Sequence, residues 1–479
     1  MTGLDVQFIT HATLKISGAF GTLLCDPWFL NEPVYNLSTW KYPPARVPPE
    51  EVVKDVDYLF ITHTHEDHFH IPSINYIDRD TPVFLPAYDE HPSLRAHTSE
   101  RVMRAMGFHD IRRLQSWETV MLGGVTPLTR VPSAVERSHD WENSGFVIES
   151  PDCVLLNVND NLNDVALCKD IKARWPEIDI VFIQSGGVTM FPGCFRMNED
   201  EMRREADKRK VAFADQRRML DYVKPIRIAP FAGDFCWLDD KYFHNNWANR
   251  TTAALFEDMM NTDYAQSGCE LVQLYPGDRW SVDGGIVRTH GEIDWDQMLE
   301  DISELQKRFR PKLDAINAYL NDVSYEDFEA RSRARTDLVQ KYITRDYIDF
   351  DARIRHTIEG PHSGFSFVLK ANSETGLVID WDDEGEVMQT LYVPENIWAA
   401  ILEGRLMWNI IQWVGEAEQL GDYVQDLGRF WFWLEYHLDL NAKNIQAIIE
   451  PMLIPGLDQP IRPNAAFFPM AGEWDADAT

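Results

Sequence analysis

The chain has 479 residues, which is enough for two or three domains, and its 44% hydrophobic content is enough to form large buried cores. Acidic residues outnumber basic residues by 77 to 45, so the formal net charge is −32. This charge argues against a nucleic-acid backbone or an anionic membrane surface as the main partner, because both are themselves negatively charged.

The start of the sequence and its cysteines predict where the protein works. The first residues, MTGLDVQFITHATLKI, lack the basic stretch and apolar stretch of a secretory signal, and the longest apolar runs are too short to span a bilayer. The six cysteines are scattered, and no two of them form a Cys-x-x-Cys pair. We therefore predict a protein of the reducing cytoplasm with no membrane partner.

Short strands alternate with loops over the first part of the chain. The stretches DVQFITHATLKIS and GTLLCDPWF are typical of two strands joined by a glycine turn. The apolar run VDYLFIT predicts a buried strand, and it leads into the histidine-rich sequence ITHTHEDHFH. This places the histidines in a loop at the end of a strand, where functional sites are common.

The following strands repeat this arrangement. SGFVIES and CVLLNVND predict a hairpin with a Pro-Asp turn, and DIVFIQSGG and PIRIAPFAGD predict two strands that end in glycine loops. The charged stretch that begins NEDEMRREADK has apolar residues at helical spacing and predicts a solvent-exposed helix between them.

The pattern changes near residue 295, where WDQMLEDISELQKRFRPKLDAINAYL predicts a long amphipathic helix. A second helix, an alternating stretch that begins FSFVLKANSETGLVIDW, and further helices follow. We predict two domains, residues 1–295 with the candidate site and residues 296–479 as a helical plus α+β accessory domain.

The histidine cluster predicts a metal site. Alternation lets His63 and His65 point in the same direction at the end of the strand, whereas Asp67 and His68 can face a second centre at the following turn. Imidazole and carboxylate ligands suit zinc or iron and are poor for calcium or magnesium. We predict that these four residues bind metal.

The sequence H-x-H-x-D-H after a strand, preceded by THATLKIS and LLCDPW, resembles the metallo-β-lactamase superfamily. This resemblance implies an α/β fold, the αββα sandwich, with one or two metal ions at the edge of its sheets, and here with a smaller α+β domain after it. It also implies that His139 is the third ligand of the first metal and that Asp160, in VLLNVNDN, bridges both metals.

The sixth ligand departs from the pattern of the superfamily. Hydrolytic members supply a late histidine, but the loop APFAGDFCW contains none. Asp234 is the nearer candidate, and His244 lies further along the chain. The third alternative is that the second metal keeps open positions, which are what dioxygen or a substrate oxygen needs.

Later stretches, FIQSGGVTMFPGCF and IRIAPFAGDFCWLDDKY followed by YPGDRWSVDGG, resemble cytidine-monophosphate N-acetylneuraminate hydroxylases. Vertebrate members of that family also carry a Rieske iron–sulfur domain, which needs Cys-x-His and Cys-x-x-His pairs. None of the six cysteines has a histidine two or three positions further on. The resemblance therefore implies dioxygen chemistry with electrons from an external donor.

A second resemblance is to the non-haem di-iron monooxygenases of platensimycin/platencin biosynthesis, and residues 296–479 weakly resemble sterol-carrier-like domains. These resemblances imply a monooxygenase with two iron ions, acting on an apolar or carrier- or coenzyme A-linked small molecule in natural-product (antibiotic, terpenoid) biosynthesis. The alternative is a hydrolase with two zinc ions that cleaves an ester, thioester or amide bond. In that alternative Asp67 and Asp160 orient the attacking water.

Overall fold

The strands around the histidine cluster form two sheets that pack face to face. The computed structural model describes residues 3–87, 98–133, 143–161, 163–186, 189–208, 213–261, 268–342, 348, 350–403, 405–406, 408, 414–419 and 430. The strands are β1 (Asp5–Thr10), β2 (Thr13–Gly18), β3 (Gly21–Cys25), β4 (Thr39–Lys41), β5 (Tyr58–Phe60), β6 (Val83–Pro86), β7 (Ile111–Leu114), β8 (Thr119–Leu122), β9 (Thr126–Val131), β10 (Gly145–Ser150), β11 (Cys153–Asn159), β12 (Ile180–Gln184), β13 (Arg227–Phe231), β14 (Phe235–Trp237), β15 (Glu270–Leu271), β16 (Arg279–Ser281), β17 (Gly285–Val287), β18 (Ala352–Glu359), β19 (Ser366–Asn372), β20 (Gly376–Asp380), β21 (Gln389–Pro394) and β22 (Glu416–Gln419).

Helices cover the outer faces of both sheets. The helices are α1 (Pro49–Val52), α2 (Ile71–Ile74), α3 (Thr98–Ala105), α4 (Val165–Arg174), α5 (Glu199–Lys208), α6 (Ala214–Arg218), α7 (Thr251–Asn261), α8 (Met298–Asn321), α9 (Phe328–Tyr342) and α10 (Glu395–Leu402). A π-helical turn, Met219–Val223, continues α6, and 3-10 turns lie at Phe243–Asn249 and Trp295–Gln297. Within the described ranges, no helix combines the length and the apolar character needed to cross a membrane.

Each of the two large sheets has a parallel and an antiparallel part. The first sheet has the order β17-β16-β1-β2-β3-β5-β6-β7, and the second has the order β15-β13-β12-β11-β10-β9-β8. Pairing is parallel from β3 to β7 in the first sheet and from β11 to β15 in the second. The loops at the carboxyl ends of these parallel strands carry the histidine cluster and the candidate carboxylates.

A buried core lies between the two sheets. Phe60 and Leu23 of the first sheet share this core with Phe146, Leu155 and Phe182 of the second. Side chains alternate along each strand, so the neighbouring Leu156 points to the opposite face, where it packs with α4. Helices α2 and α3 cover the outer face of the first sheet in the same way. This αββα arrangement confirms the predicted fold.

The chain after residue 295 forms a mixed sheet and helices. Its sheet has the order β20-β19-β18-β21-β22, and α8 presents a buried face with residues at helical spacing, among them Ile302, Leu305 and Phe309. This face shares a core with the first part of the chain, and the rings of Phe309 and Trp40 stack with centroids 5.2 Å apart. The boundary at residue 295 stays a prediction.

Candidate metal centre

The histidine-rich loop follows β5 and turns immediately. The backbone N–H groups of His68 and Phe69 both donate to the carbonyl oxygen of His65, at 2.9 and 2.7 Å. His63 and His65 face each other, with Nε2 of His63 2.9 Å from Nδ1 of His65. The loop therefore brings the first two predicted ligands together, as their spacing predicted.

Asp160, at the end of β11 in the second sheet, faces two of these histidines. Its Oδ1 lies 3.4 Å from Nε2 of His68, and its Oδ2 lies 3.8 Å from Nε2 of His63. The two oxygens of one carboxylate thus point to two different imidazoles. That Asp160 bridges two metal ions stays a prediction.

Asp67 lies between His68 and a residue from the start of the chain. Its Oδ2 is 3.5 Å from Nε2 of His68 and 2.9 Å from Nε2 of His11, which lies in the turn between β1 and β2. Its Oδ1 accepts a 2.5 Å hydrogen bond from the hydroxyl of Tyr35. The backbone N–H of Tyr35 in turn donates to Glu66, at 2.6 Å.

Asp26, directly after β3, holds His68 from the side opposite the candidate centre. Its carboxylate accepts from Nδ1 of His68 at 3.0 Å, from the backbone N–H and hydroxyl of Thr62 at 2.8 and 2.7 Å, and from the amide of Asn159. Because Nδ1 of His68 donates to Asp26, Nε2 is the nitrogen that can offer a lone pair to a metal ion once its own proton leaves. Histidines that bind metals are oriented by such carboxylates.

Charged neighbours shift the pKa values of His68 and Asp67. Burial alone would lower the pKa of His68, but the negative charges of Asp160 and Asp67 hold it well above its usual value. Burial would likewise raise the pKa of Asp67, but His68 and His11 hold it well below its usual range. The metal-free site therefore favours an ionised Asp67 beside a protonated His68.

Two sets of donor atoms fit a metal ion. His63, His68 and Asp160 form one set and His11, Asp67 and His68 form the other, and within each set the donor atoms lie within 4.8 Å of one another. Among the described residues, Nε2 of His68 and Oδ1 of Asp160 are buried without a hydrogen-bond partner. Buried polar atoms left without such partners are costly unless a ligand satisfies them. Imidazole and carboxylate donors suit iron or zinc.

Asp234 lies against the start of α7. Its carboxylate accepts from the backbone N–H of Thr252 at 3.1 Å and from the hydroxyl of Thr251 at 3.3 Å, at the start of α7. Burial raises its pKa to about 6, although these hydrogen bonds act in the opposite direction. Asp234 belongs to neither set of donor atoms found among the described residues. Its role as a ligand stays a prediction.

Among the described residues, His65 and His244 belong to neither set either, and His65 contacts His63 instead. His139 lies outside the described residues. His244 is exposed and lines a cleft of about 520 Å³ with Arg196, Arg203 and Lys241. A second cleft, of about 460 Å³, shares Arg203 with the first and reaches Ser185 and Gly186 at the end of β12.

Three residues of the centre were not predicted to act there. His11, Asp26 and Tyr35 are 56, 42 and 32 positions from the cluster residues that they contact. In the sequence, THATLKIS and LLCDPW indicate the resemblance to the superfamily but predict no role for His11 or Asp26. A signal was nevertheless present, because LLCDPW ends β3, the neighbour of the strand that leads into the histidine cluster, and THATLKIS begins at the end of β1 in the same sheet.

Residues 22–210 match the family model described as "Beta-lactamase superfamily domain". The chain is also 28% identical over 264 residues to the "Putative Rieske 2Fe-2S iron-sulfur protein" of Mycolicibacterium smegmatis, with 54% of this chain and 49% of that protein aligned. It is 22% identical over 278 residues to the cytidine monophosphate-N-acetylneuraminic acid hydroxylase of Danio rerio, with 53% and 42% aligned. The chain thus spans about half the length of the curated relatives that it matches.

Two solved structures are similar over part of the chain. CmlA, a diiron beta-hydroxylase from Streptomyces venezuelae, is 17% identical, with 59% of this chain and 54% of that chain covered and a TM-score of 0.37. A "possible metal-dependent hydrolase" from Veillonella parvula is 16% identical, with 59% and 100% covered and a TM-score of 0.41. At these TM-scores neither likeness distinguishes a hydroxylase from a hydrolase.

The matched residues include His63, His65, Asp67, His68 and Asp160. The family match and the hydroxylase relative confirm the resemblances to the metallo-β-lactamase superfamily and to its hydroxylase branch. Residues 22–210 of this chain therefore resemble the beta-lactamase superfamily domain, and the two packed sheets have the αββα arrangement of the metallo-β-lactamase fold.

Proposed function

We propose that this protein is a dioxygen-dependent hydroxylase that uses two iron ions. His63 and His65, with His139 as a third ligand, would hold one iron, Asp67 and His68 would hold the other, and Asp160 would contribute a ligand to both. The observation that carries the proposal is the similarity to a hydroxylase over 53% of this chain. The buried site of imidazoles and carboxylates supports it.

The residues of this chain have distinct parts in that reaction. Two bound iron ions supply the activation of dioxygen. Asp26 fixes the ring of His68, and Tyr35 fixes the carboxylate of Asp67, so the ligands are held in place before the reaction begins. His63, Asp67 and His68 are almost completely buried, so their side chains exclude water from the centre.

Hydroxylation needs two electrons besides dioxygen. One oxygen atom enters a C–H bond of the substrate, and the other leaves as water after it accepts two electrons and two protons. The six cysteines of this chain lack the Cys-x-His and Cys-x-x-His pairs of a Rieske centre. We therefore propose an electron donor outside these 479 residues.

The substrate that we propose is a small molecule with an apolar body and an anionic part, such as a carrier- or coenzyme A-linked acid. The two clefts that share Arg203 and Trp247 have aromatic and basic side chains in a chain whose net charge is −32. Arg196, Arg203 and Lys241 are paired with Glu199 or Glu416 of the same cleft, so a phosphate or carboxylate group would bind there by displacing these partners. The proposal of an apolar body rests on Trp247, Met197 and Met202.

Isotope labelling tests this function. Iron-loaded protein is incubated with a reductant, ¹⁸O₂ and a panel of acyl thioesters, and products are analysed by mass spectrometry. We expect a product 18 mass units heavier than the substrate only when reductant and dioxygen are both present, and no product with His63→Ala. Product that forms without dioxygen and takes its oxygen from labelled water contradicts the proposal.

A hydrolase with two zinc ions is the second candidate. The observation that favours it is the contact between His11 and Asp67, which gives the second set of donors a second imidazole besides His68. Such a site needs no open position for dioxygen. Zinc-bound water, oriented by Asp67 and Asp160, would then cleave an ester, thioester or amide bond without a reductant.

A further inference from the structure

His11 occupies an unusual turn at the edge of the candidate centre. It follows β1 and precedes β2, and its φ of +46° is in the left-handed region, which is uncommon for residues other than glycine although histidine, asparagine and aspartate are enriched there. Its carbonyl oxygen accepts from the backbone N–H of Ala232, at 3.2 Å, so the turn is fixed against the end of β13. Unusual backbone of this kind is common at functional sites.

The imidazole of His11 is buried and points into the donor sets. Its Nε2 lies 2.9 Å from Oδ2 of Asp67, and the same oxygen lies 3.5 Å from Nε2 of His68. Two ligand atoms that each lie about 2.0–2.1 Å from one ion are roughly 3 Å apart. The two separations that involve Oδ2 of Asp67 are therefore close to those expected around a shared ion.

The two oxygens of Asp67 have different surroundings. Tyr35 donates to Oδ1, whereas both imidazoles face Oδ2. The carboxylate is thus already oriented by Tyr35 through the oxygen that faces away from the imidazoles. A hydrogen bond from His11 is not needed for that purpose, and a metal ion that displaced the proton shared between Nε2 of His11 and Oδ2 of Asp67 would take that nitrogen as a ligand.

We propose that His11 is a ligand of the second metal ion, in the place that the sequence assigned to Asp234, to His244 or to open positions. The ligand comes from the first turn of the chain, before the residues 22–210 that match the superfamily domain. Asp234 caps α7, and His244 is exposed in a cleft. This inference rests on the two-metal site of the proposed function, but it holds for zinc as well as for iron.

Metal titration of the full chain tests the inference. Protein stripped with a chelator is titrated with Co²⁺, and the visible spectrum reports how many ions bind and how each is coordinated. We expect two ions per wild-type chain. His11→Ala and His11→Gln should keep one tight ion and bind the second more than about 100-fold more weakly, which exceeds the 10–100-fold loss typical of residues that only orient a ligand.

Further variants separate a ligand from an orienting residue. The amide that His11→Gln introduces can donate to Asp67 but binds metal poorly, whereas the carboxylate of His11→Glu reaches about as far as the imidazole nitrogen and should restore part of the affinity. The matched controls Asp234→Asn and His244→Ala should bind two ions as the wild type does. Circular dichroism confirms that each variant is folded.

Three results would overturn the inference. The first is that His11→Gln binds two ions with the affinity of the wild type. The second is that Asp234→Asn or His244→Ala loses the second ion. The third is that the wild-type chain binds only one ion. Failure of the hydroxylase proposal is distinguishable, because a chain that binds two zinc ions through His11 and consumes no dioxygen supports this inference and contradicts that function.

Discussion

The hydroxyl of Tyr35 donates a 2.5 Å hydrogen bond to Oδ1 of Asp67, and Tyr35 itself lies in a strained segment. Tyr35, Asn36 and Leu37 all have positive φ, between 50° and 66°. Left-handed backbone costs about 1–2 kcal/mol for each such residue. The fold therefore holds Tyr35 in an unfavourable conformation beside a candidate metal ligand.

Tyr35→Phe removes that hydrogen bond and leaves the ring in its apolar cluster. We expect both metals to bind, with an affinity for the second ion about 10–100-fold lower, because Asp67 loses a partner that orients it. Metal titration with a competing chelator measures the change. Tyr392→Phe, which removes a hydroxyl paired with Glu418 far along the chain, is the matched control. Equal metal affinities in both variants would refute the role of Tyr35.

Asp26→Asn tests the support of His68. The side-chain amide of the variant has an NH₂ group in place of one carboxylate oxygen, and this group cannot accept a hydrogen bond. The variant therefore loses some of the hydrogen bonds that Thr62 and His68 donate to Asp26. We expect metal affinity to fall about 10–100-fold and the free energy of unfolding to fall by about 1–3 kcal/mol. Metal titration and urea denaturation measure the two effects.

Asp57→Asn provides the comparison for Asp26→Asn. Asp57 accepts from the backbone N–H of Thr22 in the same sheet, away from the centre. This variant should lower stability without changing metal affinity. The same loss of metal affinity in both variants would indicate a general effect of destabilisation and not the loss of a support for His68.

Metal affinity should depend on pH through His68. The carboxylates of Asp160 and Asp67 hold its pKa well above the usual 6.5, so the metal-free protein keeps a proton there at neutral pH. A metal ion must displace that proton, and its affinity should therefore rise about tenfold per pH unit between pH 6 and 7. Titrations at several pH values check this slope. An affinity that does not change over this range would contradict it.

His356 should lower the stability of the fold in acid, independently of any metal. Burial lowers its pKa from 6.5 to about 3, and its Nε2 accepts from Nε1 of Trp408, at 3.2 Å. Because the pKa is lower in the folded state, the unfolded chain takes up the proton first as the pH falls below 6.5. The contribution of His356 to the free energy of unfolding is thus fully present above pH 6.5 and is lost progressively as the pH falls toward 3.

Urea denaturation at pH 7 and at pH 4.5 measures the free energy of unfolding. Its decrease between the two pH values should be about 2–3 kcal/mol larger for the wild type than for His356→Phe. The substitution removes the titrating group and keeps an aromatic ring against Phe367. Equal losses in the two proteins would show that other groups cause the acid sensitivity.

The parts of the site that sequence predicted are those set by local pattern. His63, His65, Asp67 and His68 lie within six positions, so strand alternation and one turn determine how they meet. Asp160 follows a strand whose apolar run is also evident in the sequence. The superfamily pattern then supplied its partners.

The unpredicted contacts depend on how distant segments pack. His11 reaches Asp67 because β1, β2, β3 and β5 are neighbours in one sheet, an order that no local pattern contains. Asp234 was expected at the metals because it follows a strand that ends at the same edge. The start of α7 lies closer, and its backbone N–H groups attract the carboxylate.

The metal content of the isolated protein tests the proposed function most directly. Sites of imidazole and carboxylate generally bind zinc more tightly than ferrous iron, so iron retained by the protein is informative. We predict two iron ions per chain in protein purified without oxygen from cells grown with both metals, and neither ion in His63→Ala. Two zinc ions per chain and no iron would contradict the hydroxylase and favour the hydrolase.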